Sequence, residues 1–335
     1  MEPGDCAGIL HIKEGEEYYI IKEIGEGATS HVYLCQSVDN YELALKLYRN
    51  DEAFHTETEL LGMVQSSKNI VKLIKSGEAM LELGQSLEEI SVSSFFKRGP
   101  VKFGLFEYLP NGELFEYVNA TKEGFSEKIC KIIFKNLLDA VEACHISGVV
   151  HGDIKLENIL LSENFEIKLI DFGFSKALNN GELIYQWSGT KCYSAPETNQ
   201  SEAHGYDGIK NDIFSMGVVL FILFFGYPPF LYPTFSDYNY KLIINKDYDT
   251  FWKIVNKSNI TISETMKDLI HKMLCFDGSS RISIEEIKTH PWVAESFDND
   301  NCDMIVETES DINDIYKKEF IKRKEIIEQN KKDFL

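Results

Sequence analysis

The stretch that decides the fold covers residues 151–173, HGDIKLENILLSENFEIKLIDFG. Two short apolar runs, ILL and IKLI, flank the polar cluster SEN, and this pattern predicts a β-hairpin. Asp153 and Asp171 fall at the two ends of that hairpin, outside its strands. Loops held by a rigid scaffold are where catalytic groups usually lie, so we expect both carboxylates to belong to a functional site.

The polar residues of this stretch match the needs of phosphoryl transfer. That reaction requires a carboxylate to accept a hydroxyl proton, a cation beside the moving phosphoryl group, and oxygen ligands for magnesium. Asp153 can be the base and Lys155 the cation. Asn158 and Asp171 can then hold the metal.

The segment HGDIKLEN resembles the catalytic loop of eukaryotic protein kinases, and DFG resembles the metal-binding motif that follows it. Both motifs in this order and at this spacing argue against a surface hairpin with scattered carboxylates. The resemblance, closest to the calcium/calmodulin-dependent group, implies an α+β fold with two lobes. A β-rich N-terminal lobe with one helix would cover residues 18–108, and a helical lobe residues 109–293. It also implies ATP and Mg²⁺ as cofactors.

A glycine-containing turn follows Tyr18, in YYIIKEIGEGATSHVYLCQ. Small residues there let backbone N–H groups approach phosphates closely. The turn resembles the kinase glycine-rich loop, although Ser30 stands where the third glycine is usual. The resemblance implies that ATP contacts Gly25, Glu26, Gly27, Ala28, Val32, Ala44 and Leu160.

Lys46 lies in an alternating, mostly apolar strand, where an unpaired charge would be costly. In the resemblance it holds the α- and β-phosphates of the nucleotide. Glu57, on the predicted helix over residues 51–64, is the expected partner of Lys46. Glu59 is the rival partner, and Glu52 is a third candidate.

The strand FGLFEYL ends in Pro-Asn-Gly, which marks the connector between the lobes. The resemblance implies that Glu107, Tyr108 and Leu109 form the hinge, whose backbone would bind the adenine edge, and that Phe106 would be the gatekeeper. Glu113 matches the glutamate that contacts ribose or a substrate arginine in related kinases.

Further along the chain, GTKCYSAPE resembles the substrate-positioning loop of serine/threonine kinases. Thr190 within it is expected to buttress the two catalytic residues. Asp212 is expected to anchor the catalytic loop through its backbone, and Arg281 to pair with Glu197.

The chain departs from the family at Gly152, where the usual catalytic-loop triplet carries an arginine that binds an activation-loop phosphate. A glycine offers no guanidinium to a phosphate. We therefore expect an enzyme that needs no phosphate bound through that route. Glu113 and Glu157 remain as acidic groups that could bind arginine, so a basic preference in the substrate is expected.

Composition narrows the partners and the compartment. The formal net charge is −20, which argues against a general nucleic-acid binder. It suits basic peptide partners, although acidity that only serves solubility is an equal alternative. The seven cysteines are scattered without a CxxC pair, which fits a reducing compartment. The N-terminus lacks the pattern of a signal peptide, and no apolar run in the sequence is long enough for a membrane span. We expect a cytoplasmic protein, with the nucleus left open.

Three regions flank or interrupt the predicted domain. Residues 1–17 are expected to form a loose extension, and residues 77–101 an irregular insertion between two strands. The tail, residues 294–335, is acidic first and then basic, with a helix predicted over residues 317–332. A basic amphipathic helix there resembles autoinhibitory and calmodulin-binding tails. A solvated helix, or one packed on the large lobe, is the alternative.

These observations predict a serine/threonine protein kinase with Asp153 as base. A pseudokinase, which binds nucleotide and partners without catalysis, is the rival from another class. A small-molecule kinase fits less well, because GTKCYSAPE shapes a peptide site. The sequence leaves open the substrate, the upstream regulator and the oligomeric state.

Overall fold

The computed structural model describes residues 8–12, 15–83, 100–121, 123–179, 181–257, 260–295 and 309–333. They form a β-rich N-terminal lobe and a helical C-terminal lobe, the two-lobed α+β architecture expected from the sequence.

Six antiparallel strands close the N-terminal lobe into a barrel, in the order β1-β2-β3-β4-β6-β5. Alternate side chains point inward, and the barrel interior holds Tyr33, Leu45, Phe103 and Leu105, each almost fully buried. The strands are β1 Gly8–Ile12, β2 Glu17–Glu26, β3 Ser30–Ser37, β4 Glu42–Tyr48, β5 Leu73–Leu83 and β6 Pro100–Glu107.

Strand β1 differs from the loose extension expected over residues 1–17. It pairs with β2 on one side and with β5 on the other, and it closes the barrel. Leu10, in the middle of the strand, is fully buried. Five residues are too few for alternation to stand out beside a Gly- and Pro-containing terminus, so the pairing with β2 and β5 defines this strand.

The expected insertion is partly regular. Strand β5 continues through Leu83, so residues 77–83 are strand and not irregular chain. Residues 84–99 lie outside the described part of the structure.

Helix α1, Asp51–Val64, buries one of its faces. Asn50 caps it, because the Asn50 side chain accepts a hydrogen bond from the Ala53 N–H at 2.8 Å. The helix buries Phe54, Glu57, Leu60, Leu61 and Val64. Helical spacing therefore places the Glu57 carboxylate on the buried face.

The C-terminal lobe is built around the apolar helix α5, which lies in its core. Of the described helices, only α5 is long and apolar enough to cross a membrane, but 89% of it is buried within the lobe, as expected for a core helix. The helices are α2 Leu114–Thr121, α3 Glu127–Ile146, α4 Ser201–His204, α5 Gly208–Phe225, α6 Tyr238–Ile244, α7 Tyr248–Val255, α8 Glu264–Met273, α9 Ile284–Thr289, α10 Pro291–Ala294 and α11 Glu309–Asp333. Short strands β7 Val149–Val150, β8 Ile159–Leu161, β9 Ile167–Leu169 and β10 Lys176–Ala177 lie at its upper face.

The C-terminal helix α11 packs on the large lobe beside α2. The Phe320 ring is fully buried and stacks on Phe125 with ring centroids 5.2 Å apart. The Tyr316 hydroxyl donates to the Phe165 carbonyl at 2.8 Å. Arg323 donates to the Tyr117 and Gly124 carbonyls, at 3.0 and 2.8 Å. The structure therefore shows the packed alternative for the tail, with its helix starting earlier than predicted.

Candidate active site

The predicted hairpin exists, and it separates two acidic residues. Strands β8 and β9 pair antiparallel, from Ile159 opposite Leu169 to Leu161 opposite Ile167. Asp153 precedes the hairpin in a loop, and Asp171 follows it in a left-handed backbone conformation with φ of 62°. Both carboxylates line the same cleft between the lobes.

Three polar contacts hold the Asp153 carboxylate, and two further hydrogen bonds brace the groups around it. Lys155 Nζ lies 2.7 Å from Oδ2, and the Thr190 hydroxyl donates to Oδ1 at 2.8 Å. Lys155 also donates to the Thr190 hydroxyl oxygen at 3.0 Å. The Asn158 amide donates to Oδ2 at 3.0 Å and to the Asp153 carbonyl at 2.8 Å. The carboxylate is thus fixed in position ahead of substrate binding.

The catalytic loop is anchored from below by Asp212 on α5. Its carboxylate accepts the backbone N–H groups of His151 and Gly152, each at 2.9 Å, as the sequence predicted. The same carboxylate lies 2.9 Å from His145 Nε2. Nothing in the sequence shows that His145, near the end of α3, lies beside α5.

His151 itself has a structural role. Its ring packs edge-on against Phe172, with centroids 4.9 Å apart, and its Nε2 lies 3.0 Å from the Ile170 carbonyl. Phe172 is fully buried, as is Leu61 on helix α1. The contact joins the catalytic loop to the start of the segment that follows the hairpin.

Lys46 reaches two carboxylates from different parts of the chain. Its Nζ lies 2.6 Å from Glu57 on α1 and 3.0 Å from Asp171. Burial alone would lower the pKa of Lys46, but these two carboxylates raise it above the usual value for lysine. Glu59 and Glu52, the rival partners, are exposed on α1.

Asp171 remains ionised in this arrangement. Burial would raise its pKa, but the Lys46 ammonium outweighs that effect and lowers the pKa below the usual value for aspartate. A deprotonated carboxylate at the edge of the cleft is available to bind a cation.

A cavity of about 440 Å³ lies between the lobes, and every residue that the sequence assigned to catalysis, nucleotide or metal lines it. The glycine turn forms its roof, the hinge its back and the catalytic loop its floor. Sequence reasoning missed four apolar lining residues. These residues are Ile24, Val71, Ile170 and Phe174. All but Val71 directly adjoin residues that were assigned to the site or that belong to a family motif, and this adjacency could have identified them.

The donor atoms fit a magnesium ion held together with a nucleotide. The amide nitrogen of Asn158 already donates to Asp153, so the amide oxygen is the atom left for a metal. Within the described residues, no three carboxylate, histidine or cysteine side chains cluster to form a complete metal site. Magnesium commonly takes one or two protein oxygens and completes its shell with phosphates and water, which suits Asn158 and Asp171.

The glycine turn and Lys46 of the β-barrel lobe face Asp153, Lys155 and Asn158 across the cleft. This arrangement defines a nucleotide-dependent phosphotransferase of the kinase class. The chain belongs to the protein kinase family, because the family model described as Protein kinase domain matches residues 18–293.

Curated relatives agree with that assignment. CBL-interacting protein kinase 11 from Oryza sativa subsp. japonica is 34% identical over 280 residues, which cover 82% of this chain and 51% of the relative. The human phosphorylase b kinase gamma catalytic chain, liver/testis isoform, is 32% identical over 298 residues, 84% of this chain and 67% of the relative. This chain therefore spans about half the length of the plant relative and two thirds of the human one.

Proposed function

We propose that this protein is a serine/threonine protein kinase that transfers the γ-phosphate of ATP to hydroxyl groups of protein substrates. The observation that carries the proposal is the complete set of contacts on Asp153, Lys46 and Asp171 around one cavity. The relatives named as protein kinases support the same reaction.

In this proposal the chain's own residues position the reactants. Asp153 accepts the proton of the substrate hydroxyl and orients that hydroxyl for attack. Lys155, close to Asp153 and Thr190, stabilises the charge of the phosphoryl group in transfer. When nucleotide binds, Lys46 contacts the α- and β-phosphates and gives up its contact with the Asp171 carboxylate. Glu57 stays paired with Lys46 and keeps the ammonium directed at the phosphates.

Glu107, Leu109 and Glu113 line the cavity. In the proposal, the backbone of Glu107 and Leu109 would bind the adenine edge, and Glu113 would contact the ribose. Asn158 and Asp171 would hold Mg²⁺. When bound, the ion neutralises phosphate charge as the phosphoryl group moves.

The proposal is tested by measuring phosphate transfer from Mg-ATP to a serine peptide rich in arginine. Transfer to the peptide supports a kinase. Nucleotide binding without transfer to any peptide or protein tested would instead favour the pseudokinase alternative.

We infer further that activity does not depend on a phosphate bound beside Gly152. A cleft between α1 and the segment after Asp171 includes Phe174, whose carbonyl lies close to Gly152. Three carboxylates line that cleft, from Glu52, Glu59 and Glu182. Lys176 also lines it, but its ammonium donates to the Gln186 carbonyl at 3.3 Å. Such a lining repels a phosphate dianion and gives it no guanidinium.

The backbone at Gly152 is also specialised. Its φ is +79°, and a Cβ atom there would meet the Phe174 carbonyl oxygen at 2.9 Å. A side chain at this position would therefore be strained as well as close to the following segment.

We expect phosphatase treatment of the bacterially produced protein to leave kcat/KM within about twofold of the untreated value. Ser188→Ala and Tyr185→Phe should behave in the same way. Thr190 is left out of the comparison because its hydroxyl contacts the catalytic residues. Strict loss of activity on phosphatase treatment, or in either variant, would overturn the inference about Gly152 and leave the kinase assignment standing.

The substrate preference is proposed to be basic. Desolvation raises the pKa of Glu113, and the neighbouring carboxylates of Glu116 and Glu157 raise it further. Glu113 and Glu157 line one end of the cleft, and Glu116, which lies 3.1 Å from Lys331 Nζ, adjoins Glu113. These carboxylates, called here the negative site, could bind a substrate guanidinium.

Glu113→Gln should raise KM for an arginine-containing peptide about tenfold, since a hydrogen bond to a charged group contributes roughly 1.5–3 kcal/mol. The KM for a peptide without arginine should stay near its wild-type value. The KM for ATP, measured in parallel, shows whether Glu113 contacts the peptide substrate or the ribose of ATP. Glu285→Gln, an exposed change on α9, is the matched control. Equal effects on both peptides would refute the basic preference.

For the tail, the structure favours docking over calmodulin binding. A calmodulin ligand would have to expose Tyr316, Phe320 and Arg323, which are buried against the large lobe. The end of α11 nevertheless lies close to the negative site, because Lys331 Nζ is 3.1 Å from Glu116. We propose that the tail is a docked part of the large lobe whose basic end adjoins the substrate site.

A further inference from the structure

The glycine-rich loop is held by contacts that the family motif does not include. Its tip is a tight turn in which the Gly27 N–H donates to the Ser30 carbonyl at 2.9 Å. Ser30 begins the returning strand β3, and the next residue, His31, has a fully buried side chain. A buried imidazole is costly unless both ring nitrogens have partners.

Both nitrogens of His31 face charged groups. Nδ1 lies 2.7 Å from Glu23 Oε1, and Nε2 lies 2.8 Å from Arg49 Nη2. A guanidinium can only donate, so Nε2 is the acceptor and the ring proton is on Nδ1, which donates to Glu23. The ring thus connects a carboxylate on β2 to a guanidinium beyond β4.

Arg49 carries this connection to the tip of the loop. Its Nη1 donates to the Ala28 carbonyl at 3.1 Å, and its Nη2 donates to Glu26 Oε1 at 2.8 Å. The backbone N–H of Arg49 donates to the Thr29 carbonyl at 2.8 Å. Arg49 directly follows β4, three residues after Lys46, so the loop tip is tied to the strand that carries the phosphate-facing lysine.

We propose that Arg49 and His31 are positioning residues for the nucleotide: together with Glu23 and Glu26 they form a clamp, called here the Arg49 clamp, that holds the glycine-rich loop over the phosphates. The proposal rests on the proposed ATP-dependent function. Without the clamp, ATP would have to order a loose loop on binding and would lose affinity for that reason. The chemical step depends on Asp153 and its contacts, so its rate should change little.

The first test is kinetic. Arg49→Met and His31→Leu should each raise KM for ATP about fivefold, equivalent to ~1 kcal/mol, while kcat stays within about twofold of wild type. His31→Gln should restore a KM near the wild-type value, because an amide offers one donor for Glu23 and one acceptor for Arg49. Lys75→Met removes an ion pair of 2.8 Å with Glu16 elsewhere in the lobe and is the matched control.

The second test does not need catalysis. Amide hydrogen exchange over residues 25–30 of the nucleotide-free protein should be faster in Arg49→Met and His31→Leu than in wild type, His31→Gln or Lys75→Met. Thermal unfolding of each variant shows whether the lobe remains folded. Should His31→Leu fail to fold, the partly exposed Arg49 carries the test alone.

Unchanged exchange and unchanged KM in Arg49→Met would overturn the clamp. If His31→Leu and His31→Gln changed KM for ATP and amide exchange equally, the role of the His31 ring in the Arg49 clamp would be overturned. If the wild-type protein transfers no phosphate, the proposed function fails, whereas the exchange experiment still decides whether Arg49 and His31 hold the loop.

Discussion

Asp153→Asn should lower kcat by about 10²- to 10⁴-fold, the range typical for removal of a general base. Asparagine has nearly the same shape, but its amide cannot accept the hydroxyl proton and it removes the negative charge that faces Lys155. The contacts of Lys46 with Glu57 and Asp171 do not involve Asp153, so the Kd for Mg-ADP should remain within about twofold of wild type. Transfer of ³²P to peptide and calorimetric binding of Mg-ADP measure the two quantities.

The matched control for this prediction is Asp39→Asn, which changes an exposed aspartate in the turn between β3 and β4. It should leave both kcat and nucleotide affinity unchanged. Transfer by Asp153→Asn at the wild-type rate would show that Asp153 is not the base, and would remove the central residue from the proposed mechanism.

The second large effect concerns stability, at an ion pair far from the cleft in which Arg281 is buried and Glu197 is partly exposed. The Arg281 guanidinium is fully buried and donates to both carboxylate oxygens of Glu197, at 2.7 and 3.0 Å. It also donates to the Cys275 and Lys210 carbonyls, at 2.9 and 2.8 Å. The pair joins the end of the substrate-positioning loop to the chain after α8.

Arg281→Met should lower the free energy of unfolding by about 3–5 kcal/mol, because the partly buried Glu197 carboxylate loses its partner and two partly buried carbonyls lose a donor. For a domain of this size that corresponds to a fall in Tm of roughly 10 °C. Differential scanning calorimetry measures the change, and peptide KM reports any shift of the substrate-positioning loop.

Lys288→Met is the control for Arg281→Met. It removes a surface ion pair with Glu142, which should contribute no more than about 1 kcal/mol. A Tm loss for Arg281→Met that is no larger than for Lys288→Met would show that the buried pair contributes little net stability.

Local patterns in the sequence determine a large part of this molecule. The hairpin between Asp153 and Asp171 follows from two apolar runs and a polar turn, because alternation and turn residues act over a few neighbouring positions. The helix that carries Glu57 follows from the spacing of its apolar residues.

The order of the motifs also identifies the residues around the cleft, since all of them line one cavity. For Lys46, the local pattern offers three acidic candidates on one helix. Only the packing of α1 on the barrel turns Glu57 inward and leaves Glu52 and Glu59 exposed.

Tertiary structure decides the features that join distant parts of the chain. Strand β1 depends on pairing with β5, about 70 residues away, so five residues of local pattern could not reveal it. His145 meets Asp212 only because α3 and α5 lie side by side.

The tail shows most clearly what the local sequence determines and what tertiary structure decides. Its charge and apolar spacing predict a helix, but the same spacing suits a solvated helix, a calmodulin ligand and a docked helix equally. The large lobe decides among them, because Tyr117, Phe125 and Phe165 together form an apolar site that fits Phe320. Sequence therefore determined the motifs and local elements of this kinase, whereas long-range packing decided which faces were buried and which side chains met, since burial depends on partners that no local pattern contains.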